Sequence, residues 1–131
     1  MSQHKNYVGL AKVAHIQFQA SQAEMVKLLG REARLQEQLR EMDLSKKIRA
    51  AALEKNHDAA MIGGADIRWH RWVDAQRAKI NEELALLRAQ MTRCREKLLQ
   101  TFGRDQATMH LAKELEARNS KKRRRQDHYE S

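Results

Sequence analysis

The residues of this sequence that could do chemistry are few, and they are scattered along the chain. The six histidines lie at positions 4, 15, 57, 70, 110 and 128, and no two of them stand in an HExxH arrangement that would hold a catalytic metal. The neighbouring carboxylates Glu82 and Glu83 would point about 100° apart on a helix, so they cannot converge on one substrate atom. The sequence therefore predicts no catalytic residue, no metal ligand and no cofactor.

Cys94 is the single cysteine, which excludes a disulfide within the chain. It lies seven residues after Leu87 in a row of apolar residues, so we expect a buried structural thiol rather than a redox sensor. The sequence predicts two long helices, and a narrow protein of this kind offers no cleft from which water is excluded, as catalysis generally requires. These features indicate a protein that is not an enzyme.

Both tryptophans occur in one short stretch, GGADIRWHRWVDAQ, at residues 63–76. Trp69 and Trp72 are three residues apart and would share one side of a helix. Tryptophan is enriched where proteins bind each other, and two helices are too thin to cover two indoles. We therefore expect at least one ring to be exposed as an anchor for a partner. The alternative is that both rings pack on apolar neighbours, namely Leu53, Met61 or Ile62.

The strongest charge feature is a basic run made of Lys121, Lys122, Arg123, Arg124 and Arg125. Residues 67–131 carry 16 Lys and Arg against 9 Asp and Glu, which gives +7 of the total net charge of +9. Such a run favours an acidic partner, which could be nucleic acid, anionic lipid or an acidic protein surface. The alternative is a disordered end that only keeps the protein soluble. Only Tyr129 lies nearby for base stacking, which disfavours sequence-specific RNA binding.

The elements that must position these residues are two long helices. The chain has no proline, 41% apolar residues and 33% charged residues, a composition typical of long helices with a narrow apolar seam. Helix 1 is predicted over residues 7–56 and helix 2 over residues 67–118, followed by a basic tail at residues 119–131. Heptad rows define the seam of helix 2, with Val73, Ile80, Leu87 and Cys94 in one row and Leu84, Met91 and Leu98 in the other.

The seam of helix 1 is less regular than that of helix 2. Its rows contain Met25, Leu28, Leu35, Leu39 and Met42. The charged residues Glu32 and Lys46 interrupt these rows. We expect the seam to continue upstream through Val13, Ile16, Ala20 and Ala23, and to drift in phase downstream through Leu44, Ile48 and Ala51.

The seam of helix 2 is expected to change register after Leu98. Strict continuation of the heptads would place the polar residues Thr101 and Asp105 between the helices. The apolar residues shift instead to Phe102 and Met109, followed by Leu111 and Leu115. This shift predicts a four-residue stutter, which locally unwinds a coiled coil.

The two helices are predicted to be joined by a turn at residues 57–66. Gly63 and Gly64 can adopt a positive φ without strain, and Asp66 could cap the start of helix 2. A short break between two amphipathic arms of nearly equal length is typical of an antiparallel helical hairpin. The fold class is therefore all-α, a single antiparallel coiled-coil hairpin. The alternative is one continuous helix that dimerises in parallel.

The sequence contains no recognisable membrane or export segment. Its first residues, MSQHKNYVGLAKVAH, lack the apolar run of a signal peptide. No window holds the roughly 18 consecutive apolar residues that a spanning helix needs. The expected compartment is the cytoplasm.

The chain resembles the FliJ/YscO family, the small coiled-coil stalk proteins of flagellar and injectisome type III export. The resemblance covers most of its length and is carried by two segments besides the hairpin pattern, LAKVAHIQFQ at residues 10–19 and RWHRWVDAQRAKI at residues 68–80. In the second segment, Trp69, Trp72, Val73 and Ile80 stand at the places of the aromatic and aliphatic residues of the family. The basic tail after helix 2 also fits.

This resemblance implies a function in protein export. Family members look like the central coiled coil of a rotary ATPase, insert into the hexameric ring of the export ATPase, contact the export gate membrane protein and are linked to export chaperones. By implication, Leu10, Val13 and residues 109–125 would enter the ring, the basic tail would suit an acidic lumen, and the tip with Trp69, Trp72, Val73 and Gln76 would face the gate. The protein would then be cytoplasmic and peripheral at the inner face of the membrane, and nucleic acid would not be its partner. The alternative functions are a nucleic-acid-binding coiled coil that uses the basic tail, or a generic scaffold.

Overall fold

Two long helices make up the computed structural model, which describes residues 2–55 and 59–130. Helix α1 spans Ser2–Lys55 and helix α2 spans Ala59–Glu130. The two helices pack against each other in antiparallel order. Glu32 of α1 contacts Arg88 of α2, whereas Arg49, further along α1, contacts Asp66, which lies earlier in α2. The prediction of an all-α helical hairpin is confirmed. The alternative of one continuous helix is wrong, since the helices pair within one chain.

The predicted turn at Gly63 and Gly64 is wrong. Both glycines lie inside α2, which already begins at Ala59, and no glycine in the described residues has a positive φ. Asp66 is likewise a residue within α2 rather than its N-cap, and its carboxylate accepts a hydrogen bond from Arg49 at 2.9 Å. Each glycine costs a helix only about 1 kcal/mol relative to alanine, which contacts of this kind can offset. The predicted turn residues 57 and 58 lie outside the described residues.

Replacing either glycine by alanine tests this helical assignment. We expect Gly63→Ala and Gly64→Ala each to raise the free energy of unfolding by about 0.5–1 kcal/mol, because alanine restricts the unfolded chain and favours the helix. Space is available, since an added Cβ meets nothing within 4 Å at Gly63 and only the end of the Arg68 side chain, 4.0 Å away, at Gly64. Chemical denaturation measures the effect. Gly30→Ala, at an open site within α1, is the matched control with the same expected gain. A loss of stability at positions 63 and 64 alone would indicate a turn.

The chain divides into two compact units, and each contains a part of both helices. Unit 1 comprises Met1–Val26 and Arg93–Ser131, and unit 2 comprises Lys27–Thr92. The predicted basic tail belongs to unit 1. It is not a separate frayed segment, because α2 continues as a helix through Glu130 instead of ending near residue 118.

The core of unit 2 is a regular apolar seam. The heptad rows of helix 2 are confirmed here by the burial of Val73, Ile80, Leu84, Leu87 and Met91, and helix α1 adds the buried Leu28 and Leu35. The predicted drift of the first helix is wrong, since Leu44 and Ile48 are 58% and 61% exposed. Other residues of α1 continue the strict heptad spacing instead and are half-buried. They are Met42, Lys46, Arg49 and Leu53.

The charged residues that interrupt the seam of unit 2 each have an oppositely charged partner on the other helix. The Arg88 Nε lies 3.4 Å from a carboxylate oxygen of Glu32, and the Lys46 ammonium lies 3.0 Å from Asp74. Arg77 lies seven residues before Leu84, at the start of the second row of helix 2, and it pairs with Asp43. A shift of one heptad would place Asn81 or Ile67 opposite Lys46 and so remove its partner. These pairs therefore help to select the register of the two helices.

The core of unit 1 consists of small and polar residues. Its buried residues are Ala14, Ser21, Cys94, Thr101 and Asp105, and they keep the strict heptad spacing. The predicted stutter of helix 2 is therefore wrong. The predicted upstream continuation of the helix 1 seam is wrong as well. The residues expected in these positions are substantially exposed, with Val13 at 52%, Ile16 at 63%, Phe102 at 46% and Met109 at 39%.

The polar seam residues of unit 1 have hydrogen-bond partners, which explains how the heptads continue through them. The Thr101 hydroxyl donates to the carbonyl of Leu98 at 3.1 Å, and the Ser21 hydroxyl donates to the carbonyl of Gln17 at 3.1 Å. The carboxylate of Asp105 lies 3.2 Å from the Nδ1 of His15 on the other helix. Because each of these groups has a partner, the seam can accommodate it, and a continuous helix can keep its seven-residue repeat.

Cys94 is a buried thiol, as expected. Only 4% of the residue is exposed, and its Sγ lies 4.0 Å from the carbonyl oxygen of Ser21. Burial raises the pKa of the Cys94 thiol, and the carboxylate of Glu24 adds to this rise while the ammonium of Lys97 opposes it. A thiol in this state is a weak nucleophile, which favours the structural interpretation over redox sensing.

Neither helix, over its described residues, has a stretch apolar and long enough to cross a membrane.

Candidate partner-binding surfaces

A groove in unit 2 brings both tryptophans together with residues of the opposite helix. It is lined by Gln38, Glu41, Met42 and Ser45 of α1 and by Trp69, Trp72, Val73, Gln76, Lys79, Ile80 and Glu83 of α2. We call this surface the tryptophan groove. On the α2 side, the groove is lined by residues that recur every seven positions beside the seam, such as Trp69, Gln76 and Glu83. The heptad geometry therefore explains why these residues line one side of the helix pair.

The two tryptophans of the groove have different environments. Trp72 is 58% exposed, so the expectation that at least one indole is exposed is confirmed. Trp69 is half-buried, with the guanidinium carbon of Arg49 at 4.5 Å from its ring centroid and the ring of His70 at 5.1 Å in an edge-on arrangement. Asp66 holds Arg49 at 2.9 Å and lies 3.4 Å from the Nε2 of His70. Trp69 is therefore fixed in place by cation–π and aromatic contacts, and Trp72 is the ring that a partner can reach.

The other residues expected near the tryptophans have separate positions. Val73 is only 2% exposed and lies in the seam, where it also lines the tryptophan groove, so its expected contact with a partner stays a prediction. Gln76 is half-buried and lines the groove. The side chains of Met61 and Ile62, which were alternative packing partners of the indoles, lie outside the described residues.

Sequence reasoning missed the α1 side of the tryptophan groove. Gln38 and Ser45 are seven residues apart and follow the same side of α1 along the seam. The heptad pattern contained this signal, but using it requires the antiparallel register that pairs Lys46 with Asp74. The tryptophan groove combines indole and thioether walls with amide and hydroxyl groups that can both donate and accept hydrogen bonds. Such a surface fits the apolar side chains and polar backbone of a protein partner.

Unit 1 carries the remaining residues expected to bind a partner, and most of them are exposed, although Ala112, Leu115 and Asn119 within residues 109–125 are half-buried. Leu10 is 50% exposed and Val13 is 52% exposed, which follows from their position outside the seam. The basic residues Lys121, Lys122, Arg123, Arg124 and Arg125 are exposed along the last turns of α2. Consecutive helical residues are about 100° apart, so five in a row present positive charge on every side of the helix.

The described residues give no sign of a metal centre, since none of their His, Cys, Asp and Glu side chains gather in groups of three or more that could hold an ion. Comparisons with protein-family models, curated proteins and solved structures gave no match for this chain. The candidate surfaces therefore rest on the geometry of the chain itself. They comprise the tryptophan groove of unit 2 and the exposed apolar and basic residues of unit 1.

Proposed function

We propose that this protein is a non-enzymatic coiled-coil component of bacterial type III protein export. In this proposal it acts as the central stalk and regulator of the export ATPase ring and also contacts the export gate. The observation that carries the proposal is a tryptophan that is 58% exposed beside the seam of an antiparallel helical hairpin. An exposed indole next to a fixed one is a typical binding hot spot, and long helical hairpins are suited to join two larger partners.

The two units supply different surfaces for the two partners. Unit 1 carries the exposed Leu10 and Val13 and the basic helical segment, which fit the acidic lumen of an ATPase ring. Unit 2 carries the tryptophan groove, which fits the export gate. The protein would then work in the cytoplasm, at the inner face of the cell membrane, and could also meet export chaperones there.

Trp72→Ala separates binding to the gate from binding to the ATPase. We expect this variant to bind the purified cytoplasmic domain of the cognate export gate about tenfold more weakly, because an exposed indole anchor is lost. It should still promote oligomerisation of the cognate export ATPase, measured by sedimentation and by ATP hydrolysis. Leu86→Ala is the matched control, since Leu86 is 68% exposed in the same unit but does not line the groove. Equal weakening by both variants, or no effect of the unaltered protein on the ATPase, would contradict the proposal.

The exposed basic helix supports a second candidate function, which is binding of nucleic acid. Positive side chains on all sides of a helix can approach phosphates in a groove of a duplex. This alternative expects binding of a labelled DNA duplex that falls steeply as salt rises. Replacement of residues 121–125 by glutamine should abolish it. Duplex binding that persists in this variant would exclude the basic segment as a nucleic-acid site.

A further inference from the structure

A second groove lies in unit 1, and most of its α2 side falls within residues 109–125, which the family resemblance would place in the ATPase ring. It is lined by Val8, Ala11, Lys12, His15 and Ile16 of α1 and by Asp105, Met109, Ala112, Lys113 and Glu116 of α2. We call this surface the apolar groove. Ile16 is 63% exposed and Met109 is 39% exposed, so apolar side chains are open to solvent. Accessible apolar residues grouped in a groove are typical of a binding surface.

The shape of the apolar groove fits a third helix. Its floor contains Ala11 and Ala112, whose small side chains let another backbone come close to the seam. Val8 and Met109 stand beside the seam on the two helices and form apolar shoulders. An amphipathic helix could place its apolar stripe between these shoulders, as in helix-in-groove recognition.

The charges around the apolar groove select the kind of helix that would bind. Lys12 and Lys113 line the groove from opposite helices. Lys5, seven residues before Lys12, and Arg123, seven residues after Glu116, extend these rows of the two helices and are exposed. Glu116 is the single acidic residue exposed in the lining, because Asp105 is buried and faces His15 at 3.2 Å. The rims are therefore mainly positive, which favours acidic residues beside the apolar stripe of the partner.

We propose that the apolar groove of unit 1 binds an amphipathic helix of a partner protein whose apolar stripe is flanked by acidic residues. The apolar stripe would lie over Ala11 and Ala112 and contact Met109. The acidic flanks would meet Lys12 and Lys113. This surface differs from the tryptophan groove, and its test needs neither the export ATPase nor the export gate.

A displayed library of helical peptides tests this proposal on the full chain. Each peptide has a fixed apolar stripe, and its flanking positions vary among glutamate, glutamine and lysine. We expect selection on the unaltered protein to enrich peptides with glutamate at the flanks. Enriched peptides should bind Met109→Glu at least tenfold more weakly but bind Leu111→Glu almost normally. Leu111 is the matched control because it is 42% exposed, two residues away, and does not line the groove.

Two further variants separate groove binding from attraction to the basic segment. Lys12→Gln combined with Lys113→Gln should weaken the enriched peptides more than Lys121→Gln combined with Lys122→Gln, although both pairs remove the same charge. Circular dichroism confirms that each variant keeps its helices. The proposal is overturned if no peptide is enriched, if lysine-flanked peptides are enriched equally, or if position 111 matters as much as position 109. It is also overturned if the two lysine pairs have equal effects.

Discussion

Leu87→Ala is expected to lower the free energy of unfolding by about 2–4 kcal/mol, whereas Leu86→Ala is expected to change it by less than about 0.5 kcal/mol. The two leucines are neighbours in α2, but Leu87 is 2% exposed and Leu86 is 68% exposed. Removing the buried side chain loses its transfer free energy and leaves a cavity in a narrow seam. Removing the exposed side chain loses little transfer free energy and leaves no cavity.

Chemical denaturation measured in two ways tests this expectation. Trp69 and Trp72 both lie in unit 2, so their fluorescence reports the unit that contains Leu87. Circular dichroism at the same denaturant concentrations reports the helices of both units. The midpoint of the fluorescence transition should fall for Leu87→Ala and stay unchanged for Leu86→Ala. Similar shifts for the two variants would show that the seam does not pass through Leu87.

The seam of unit 2 could be predicted because hydropathy and periodicity agree there. The residues at strict seven-residue spacing, such as Val73, Ile80 and Leu87, are also the apolar ones, and all three are buried. In unit 1 the two signals disagree, and the prediction followed hydropathy to Phe102 and Met109. The helix instead keeps its period and places polar groups with partners, such as Asp105, in the seam.

The position of the break between the helices was obscured by local residue preference. Gly63 and Gly64 are the strongest local turn signal in the sequence, but both are helical. Their helical state keeps Asp66 at its heptad position, where it binds Arg49. Contacts distant in sequence therefore outweigh a local penalty of about 1 kcal/mol per glycine.

The candidate sites could be predicted only in part. Exposure of one tryptophan follows from the thinness of a helix pair, and Trp72 fulfils it. Which of the two indoles, Trp69 or Trp72, is the more exposed depends on Arg49, which approaches Trp69 from the other helix. The apolar groove was not predicted, because Ile16 and Met109 were assigned to the seam and its lining residues meet only in the observed register.

Asp105→Leu is expected to raise the free energy of unfolding by about 1–3 kcal/mol. The carboxylate of Asp105 occupies a heptad seam position with 8% of its side chain exposed, and its partner across the helices is His15, which is 55% exposed. A contact with a half-exposed imidazole offsets only part of the desolvation cost of the buried carboxylate, whereas leucine at the same place would bury apolar surface. The mostly solvent-exposed imidazole of His15 loses little when its partner is removed.

His15→Ala is the complementary variant, and it should act in the opposite direction. It leaves the buried carboxylate of Asp105 without its contact to His15, which is expected to lower the free energy of unfolding by about 1–3 kcal/mol. The alkylation rate of Cys94 reports these changes locally, because this buried thiol belongs to unit 1. Alkylation should become slower in Asp105→Leu and faster in His15→Ala. In the Asp105→Leu background, His15→Ala should have almost no effect, since no buried carboxylate remains. An equal loss of stability from His15→Ala in both backgrounds would show that the two side chains are not coupled.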